Sequence, residues 1–414
     1  METEKYQYKY QLIELEEAIA LIKENLNYDR KKQTETVPLK KSLGRITSED
    51  IISPISQPPF DRSPYDGYAL RSDDVITAAK ENPAVLKVIG EVDAGDVFSG
   101  SIKQKETVRI MTGAPIPDGA DCVIRQEDTD YGEDTVQIFS TVAPRDNICR
   151  AGEDFMAGDC LIHQDTYITA VEAAILASMG YTHVTVYKKP RVGVFTTGDE
   201  LSAPGIPLAE GKIYNSNLYL LWGRLTEMGV EPVHIEALPD TESQAAEILA
   251  EHAKHLDLII TTGGVSVGKK DIIHGTLLKM GAEKIFWKIR MKPGTPTIFA
   301  LYNKVPMISL SGNPFGAAAN LELLVRSALF EMTGNESLIL DRKQAVMQDI
   351  FEKSSKVTRY IRGMYQDGKV FQPKGLQSSG VLGSMGGCNC FIEIPKGNMG
   401  LHPGDTIDVL LWNE

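Results

Sequence analysis

Between Leu256 and Asp271 the chain reads Leu-Asp-Leu-Ile-Ile-Thr-Thr-Gly-Gly-Val-Ser-Val-Gly-Lys-Lys-Asp, a set of residue types suited to cradling an anion. Thr261, Thr262 and Ser266 offer hydroxyls, and Gly263, Gly264 and Gly268 let the backbone turn tightly and approach a ligand. Asp271 then begins a helical stretch whose first amides would point at negative charge. A second constellation, Ser311-Gly312-Asn313-Pro314, follows another apolar run. Asn313 can cap the helix after it, and Pro314 suits the first helical position because it has no amide hydrogen to leave unpaired. Either loop alone fits an ordinary turn as well as a ligand site. Two of them imply one crevice.

Buried strands must position these loops. Apolar runs without polar alternation read as strands covered on both faces, and they fall at 191–196, 231–237, 256–262, 285–289, 297–302 and 305–310, with helical patterns between most of them. This alternation, lasting to about Thr333, describes a βαβ domain. In open parallel sheets ligands gather at the carboxyl ends of strands, so loops distant in sequence can meet there. Before it, residues 9–26 place Leu12, Leu15, Ile19, Ile22 and Leu26 on one helical face. From Val37 to about Ile162 the pattern is short β runs broken by Pro and Gly, including Val85–Ile89 and Val108–Met111. Thr169 to Gly180 reads as a helix with a capping box of Thr169 and Glu172 and a terminal Gly180. After Gly334 short strands and Gly turns return, as in a small β-barrel or sandwich. The expected division is 1–186, 187–334 and 335–414.

Composition narrows the function classes. The chain has 414 residues, 42% hydrophobic and 24% charged, as expected of a soluble multidomain protein. No apolar run approaches the roughly 18 residues of a membrane helix, and Met1-Glu2-Thr3-Glu4-Lys5-Tyr6 has no signal-peptide character, so a cytoplasmic location is expected. A net charge of -13 argues against nucleic acid, whose phosphates demand a basic face. Cys122, Cys149, Cys160, Cys388 and Cys390 are scattered and read as reduced, mostly buried thiols. His252 and His255 lie on an otherwise ordinary surface helix. An anionic ligand in this acidic chain would need local cations or a bound metal.

Six segments carry a resemblance through nearly the whole chain: Phe60–Ala69, Arg109–Pro117, Arg150–Asp154, Thr196–Leu201, Thr262–Gly268 and Lys292–Gly294. In this order they resemble the molybdopterin molybdenumtransferase family, of the bacterial MoeA and gephyrin E-domain type. The resemblance implies an α/β central domain of molybdopterin-binding type with a parallel or mixed sheet, an elongated β-rich N-terminal region and a small C-terminal β-barrel. It implies insertion of molybdate into adenylylated molybdopterin, with Mg2+ assisting and AMP released. Hard oxygen ligands suit Mg2+, and the family positions for that work are Asp66, Glu200 and Asp271. Lys288, Lys292 and Arg362 match cationic positions, Arg362 being able to fork two hydrogen bonds onto an oxyanion.

The resemblance also assigns substrate contacts to Thr112, Asp154, Asp240, Thr262, Gly263, Gly264, Ser266, Gly268, Ser311, Gly312, Asn313, Pro314 and Ser379. Asp240 reads equally as a cap before Thr241-Glu242-Ser243. The family's homodimer would bring Asp66, Thr112 and Asp154 of one subunit to complete the pocket of the other, and a molybdopterin adenylyltransferase would be a partner. Two departures stand out: Ser311 where many members have Pro, and Thr295 where many carry a second Lys after Lys292. Adenylyl transfer and a gephyrin-like scaffold are the alternative functions. The N- and C-terminal β regions weigh against the first, and the missing long linker against the second.

Overall fold

The computed structural model describes residues 12–230, 232–266 and 271–412. The chain forms two compact units, Thr36–Val186 and the remainder. Gly268 falls outside the described residues.

In the smaller unit, a five-stranded sheet runs Cys122–Arg125, Gly67–Leu70, Glu106–Ile110, Ala84–Val92, Thr135–Ile138. Alternation sorts its side chains onto two faces: Tyr68, Leu70, Leu86, Ile124 and Val136 build one core, and Ala69, Val92, Val108, Ile110 and Val123 another. A separate core gathers Ile51, Phe155, Ile162, Leu176 and Val186 around the helix Ala170–Ser178. That helix begins with the expected capping box of Thr169 and Glu172.

The larger unit is organised by a six-stranded mixed sheet in the order His234–Ala237, Val192–Thr196, Leu258–Thr262, Val305–Leu310, Ile298–Tyr302, Glu283–Trp287. The first four strands are mutually parallel; Ile298–Tyr302 runs against them, and Glu283–Trp287 pairs antiparallel with Ile298–Tyr302 at the edge. The register sets Thr196 beside Thr262 and Thr262 beside Leu310, so three strands end level and their loops emerge together. Helices cover both faces. Ser216–Glu227 and the run from Pro314 pack on Val194, Leu258, Ile260 and Ile308, while Glu242–His252 and Ile273–Met280 pack on Phe195, Ile259 and Met307. Leu15–Asn25, grouped by sequence with the N-terminal region, instead buries Ala18 and Ile22 in the core of this larger unit.

The run from Pro314 is helical through Thr333 and passes through a π turn at Leu321–Val325. Its buried residues are apolar apart from Asn320, Glu322 and Arg326; Glu322, at 3% exposure, pairs at 2.7 Å with both Arg224 and Arg326. The C-terminal strands close on themselves. Thr358–Gln366 pairs with both Lys369–Phe371 and Cys390–Ile394, and Asp341–Met347 and Thr406–Leu411 complete a five-stranded barrel around Met347, Ile361, Ile392 and Val409. Met291–Lys292 joins its edge in parallel, setting Lys292 opposite Arg359. Cys122, Cys388 and Cys390 are buried as expected, but Cys149 and Cys160 are only half-buried. Among the described residues no helix is long and apolar enough to cross a membrane.

Candidate functional site

The level strand ends of the large sheet open into a crevice of about 660 Å3. Its walls are the segments Thr196–Gly198, Thr262–Ser266 and Ser311–Pro314, with Asn215, Asn217, Glu200, Asp240 and Asp271 around them. The two glycine loops touch: a Cβ on Gly312 would lie 3.2 Å from the Cα of Gly263. Gly263 has φ +92°, and a Cβ there would come 2.5 Å from the Thr197 carbonyl oxygen, so the close approach needs glycine.

Side-chain bonds lock the loops. The Thr262 hydroxyl donates to the Ser311 carbonyl at 2.8 Å, and the Asn217 amide donates to both Thr262 Oγ1 and the Gly312 carbonyl. Asn313 makes no side-chain cap; its carbonyl accepts the Ala317 amide while its side chain lines the crevice, and Pro314 takes the first turn as expected. The amide of Ile273 is already given to the Gly264 carbonyl at 3.2 Å, which withdraws one helix-start donor from any ligand.

The charged side chains lining this crevice among the described residues are all acidic: Glu200, Asp240 and Asp271. Gly198 organises two of them. Its amide donates to Asp240 Oδ1 at 3.1 Å, and the Glu200 carboxylate lies 2.8 Å from where a Gly198 Cβ would stand. Asp240 therefore does not cap the following helix, because its carboxylate is turned to Gly198. Burial first, then the hydrogen bond and charge of Asp199, raise the Asp240 pKa above its ordinary value. Oxygen donors of this kind suit a hard divalent cation held by one or two carboxylates together with phosphate and water.

A second cleft of about 350 Å3 adjoins the first and shares Pro296, Ser311 and Asn313 with it. Its charged residues are basic: Lys292, Lys353 and Arg359, with Ser378 and Ser379 beside them. The Ser379 carbonyl accepts the Phe315 amide at 2.9 Å. The hydroxyl of Thr295, the residue that departs from the family pattern, turns inward to the Met291 carbonyl.

Two sequence-derived cations sit elsewhere. Arg362 is fully buried, its guanidinium stacked 4.0 Å over Phe315 and donating to Gln377 Oε1 and to the Ser378 and Val381 carbonyls. It braces the Ser378–Val381 segment with three of its five N–H donors and does not line either cleft. Lys288 lies 4.0 Å over the Trp287 ring, outside the lining of either cleft. Trp287 in turn donates to the Val265 carbonyl, so Lys288 stands behind the glycine loop.

In the smaller unit, Asp66 Oδ1 accepts both the amide and the hydroxyl of Thr112 at 2.8 Å, and these two bonds hold its carboxyl below the usual range. Both line a shallow pocket with Tyr65, Arg125 and Glu127. Asp154 is exposed and donates its amide to the Gln57 carbonyl. Sequence reading missed Asn217 and Asn320. Asn320, completely buried, accepts the Ser311 amide and donates to the Gly294 carbonyl, tying the two clefts together. An Asn inside an apolar helical pattern was the one visible signal.

A mixed sheet with glycine and hydroxyl loops at its parallel strand ends defines an α/β domain of molybdopterin-binding type, and residues 193–331 match a family described as a probable molybdopterin binding domain. Residues 13–180 match the MoeA N-terminal region (domain I and II) and residues 344–412 the MoeA C-terminal region (domain IV). The molybdopterin molybdenumtransferase of Bacillus subtilis is 37% identical over 395 residues, 94% of this chain and 92% of that protein. That of Staphylococcus aureus strain COL is 35% identical over 96% of this chain and 95% of its own. A crystal structure of the molybdopterin biosynthesis MoeA protein from Pyrococcus horikoshii OT3 superposes with a TM-score of 0.79 at 31% identity, over 97% of this chain and 100% of that one. The chain belongs to the molybdopterin molybdenumtransferase family.

Proposed function

We propose that this protein inserts molybdate into adenylylated molybdopterin, releasing AMP and molybdenum cofactor. The observation that carries the reading is the pairing of an acidic crevice with a basic cleft across a shared wall of Pro296, Ser311 and Asn313. A phosphate-bearing pterin and an oxyanion must be brought together against their mutual repulsion, and adjoining regions of opposite charge allow that.

Lys292, Lys353 and Arg359 would hold an oxyanion, with Ser379 beside it. Thr262, Ser266, Ser311 and the backbone of Gly263 and Gly312 would orient the pterin, its phosphates lying toward Glu200, Asp240 and Asp271. Those carboxylates would hold Mg2+, which when bound neutralises phosphate charge. Catalysis would then rest on positioning and electrostatics, without a covalent intermediate.

Asp66, Thr112 and Asp154 are proposed to complete the pocket of a second subunit in a homodimer. The bonds from Thr112 that keep Asp66 ionised support this, since a carboxylate so held is available to a cation. A cytoplasmic location, the three-part division at 186 and 334, and docking of a molybdopterin adenylyltransferase belong to the same reading. Matches to both flanking MoeA regions favour it over adenylyl transfer by the central domain alone. The test is AMP release from adenylylated molybdopterin in Mg2+, with and without molybdate. Molybdate-dependent release is expected, and tight adenylate binding without release would overturn the assignment.

A further inference from the structure

Away from both clefts, the edge strand His234–Ala237 of the large sheet sends His234 and Glu236 to the same face, because alternate strand residues share a side. The helix Glu242–His252 packs on that face and ends with His252 against them. The two imidazoles stand 3.8 Å apart centre to centre, backed by Phe195 at 5.3 and 5.4 Å. Both present Nε2 to one carboxylate oxygen: Glu236 Oε2 lies 3.0 Å from His234 Nε2 and 3.7 Å from His252 Nε2.

The longer distance is outside hydrogen-bond range, so the carboxylate pairs fully with one imidazole only. The same spacing suits a shared ion. Metal–nitrogen and metal–oxygen bonds of about 2.0–2.2 Å in a tetrahedron place neighbouring ligand atoms roughly 3.3–3.6 Å apart, and the two observed distances bracket that edge. All three ligand atoms lie within 4.8 Å of one another. Two imidazoles and a carboxylate suit a borderline divalent transition ion better than Mg2+, which prefers oxygen alone. Side-chain exposures of 32%, 39% and 30% leave an open side for water as a fourth ligand.

We propose that His234, Glu236 and His252 form a binding site for one Zn2+-class ion, separate from the crevice, that clips the exposed edge strand to the end of the helix above it. Such a clip would also stiffen an edge that otherwise presents free backbone groups to other chains.

The test is a Co2+ titration of chelator-treated full-length protein, read by visible absorption, in which four-coordinate Co2+ absorbs strongly and six-coordinate Co2+ only weakly. One equivalent per chain of intensely absorbing, four-coordinate Co2+ is expected, any Co2+ taken up by the oxygen ligands of the crevice absorbing only weakly. His234→Gln and His252→Gln should each weaken that binding more than about 100-fold, beyond the cost of losing an outer hydrogen-bond partner to a ligand. Glu236→Gln should also weaken it, with circular dichroism and molybdate-dependent AMP release unchanged in all three variants. Asp50, Cys160 and His163 are a second group of nitrogen, sulfur and oxygen ligand atoms within 4.8 Å of one another among the described residues, so Cys160→Ser serves as the control and should retain the bands. Intense bands that survive both His variants, bands lost in Cys160→Ser, or only weak six-coordinate absorption in the unaltered protein would each overturn the proposal.

Discussion

The backbone amide of Ser311 donates to Asn320 Oδ1 at 3.2 Å, across nine residues of loop and helix. The same side chain donates its Nδ2 to the Gly294 carbonyl at 3.0 Å. One buried amide thus holds the glycine loop of the crevice and the Lys292-Pro293-Gly294 turn of the neighbouring cleft at a fixed separation. Gly294 is required for that approach: it has φ +91°, and a Cβ there would stand 2.5 Å from Asn320 Nδ2.

Asn320→Leu keeps the number and branching of the side-chain heavy atoms and leaves the Ser311 amide and the Gly294 carbonyl buried without that partner. Each such loss costs about 1–3 kcal/mol, and a loop displacement on the order of 1 Å costs about 100-fold in rate. The expected result is a folded protein with lower stability and kcat/KM for AMP release reduced about 10- to 100-fold. Unchanged kinetics with normal stability would show that the two clefts are set independently of Asn320.

Glu200 and Asp240 meet around Gly198, so their contributions can be separated by charge. Glu200→Gln preserves shape and removes a hard ligand. Adenylate binding should persist, molybdate-dependent AMP release should fall at least ~100-fold, and the Mg2+ concentration giving half-maximal activity should rise. Full activity at low Mg2+ would remove Glu200 from the cation site.

The fold was legible where local chemistry decides it. Leu258–Thr262 and Val305–Leu310 are uninterrupted apolar runs ending in hydroxyls and glycines, so strand, turn and crevice could be read together. Arg362 shows where that reading stops. Its neighbours Ile361 and Gly363 do not indicate that the guanidinium is fully buried against Phe315 and the Ser378–Val381 carbonyls, because burial depends on barrel closure. Asp240 carries every sign of a helix cap and instead meets Gly198 from another strand end. His252 reads as a surface residue until the sheet sets His234 beside it. Periodicity is local, whereas convergence of distant side chains is a property of topology.

His274 supplies a pH dependence. Burial, then the charges of Lys284 and Lys288, lower its pKa from 6.5 to about 4, and Lys284 Nζ lies 3.0 Å from its Nδ1. The folded-state pKa is the lower one, so between pH 6.5 and about 4 the unfolded chain binds a proton that the folded chain refuses. Stability is therefore complete above pH 6.5, is lost as pH falls through this window, and changes no further below it for this group. The loss is on the order of 3 kcal/mol in total. All three tryptophans, Trp222, Trp287 and Trp412, belong to the larger unit, so urea unfolding followed by their fluorescence reports on that unit alone. His274→Gln should flatten the pH 5 to pH 7 difference. An equally steep dependence in the variant would assign it to other groups.

Glu322 tests how the wall behind the crevice tolerates charge. It lies in the π turn at 3% exposure, held at 2.7 Å by Arg224 Nε and by Arg326 Nη1, while Arg326 also donates to the Leu338 and Trp412 carbonyls. Removing the carboxylate leaves the buried Arg326 guanidinium with neutral carbonyl acceptors only, while Arg224 keeps its ion pair with Glu227, and breaking a buried pair from one side costs about 3–5 kcal/mol. Glu322→Ala adds a cavity to that cost, so Glu322→Gln is the cleaner variant: it keeps the volume and removes only the charge. Tryptophan-detected unfolding should show the larger unit weakened by about 2–4 kcal/mol in Glu322→Gln, with AMP release per folded molecule near normal because the side chain does not line the main crevice. Replacing Glu322 and Arg326 together by Met should recover part of the loss, since the pair no longer needs desolvating. A Glu322→Gln loss below about 1 kcal/mol, the range of an exposed pair, would mean that the guanidinium groups find other acceptors and that the triad contributes little to this wall.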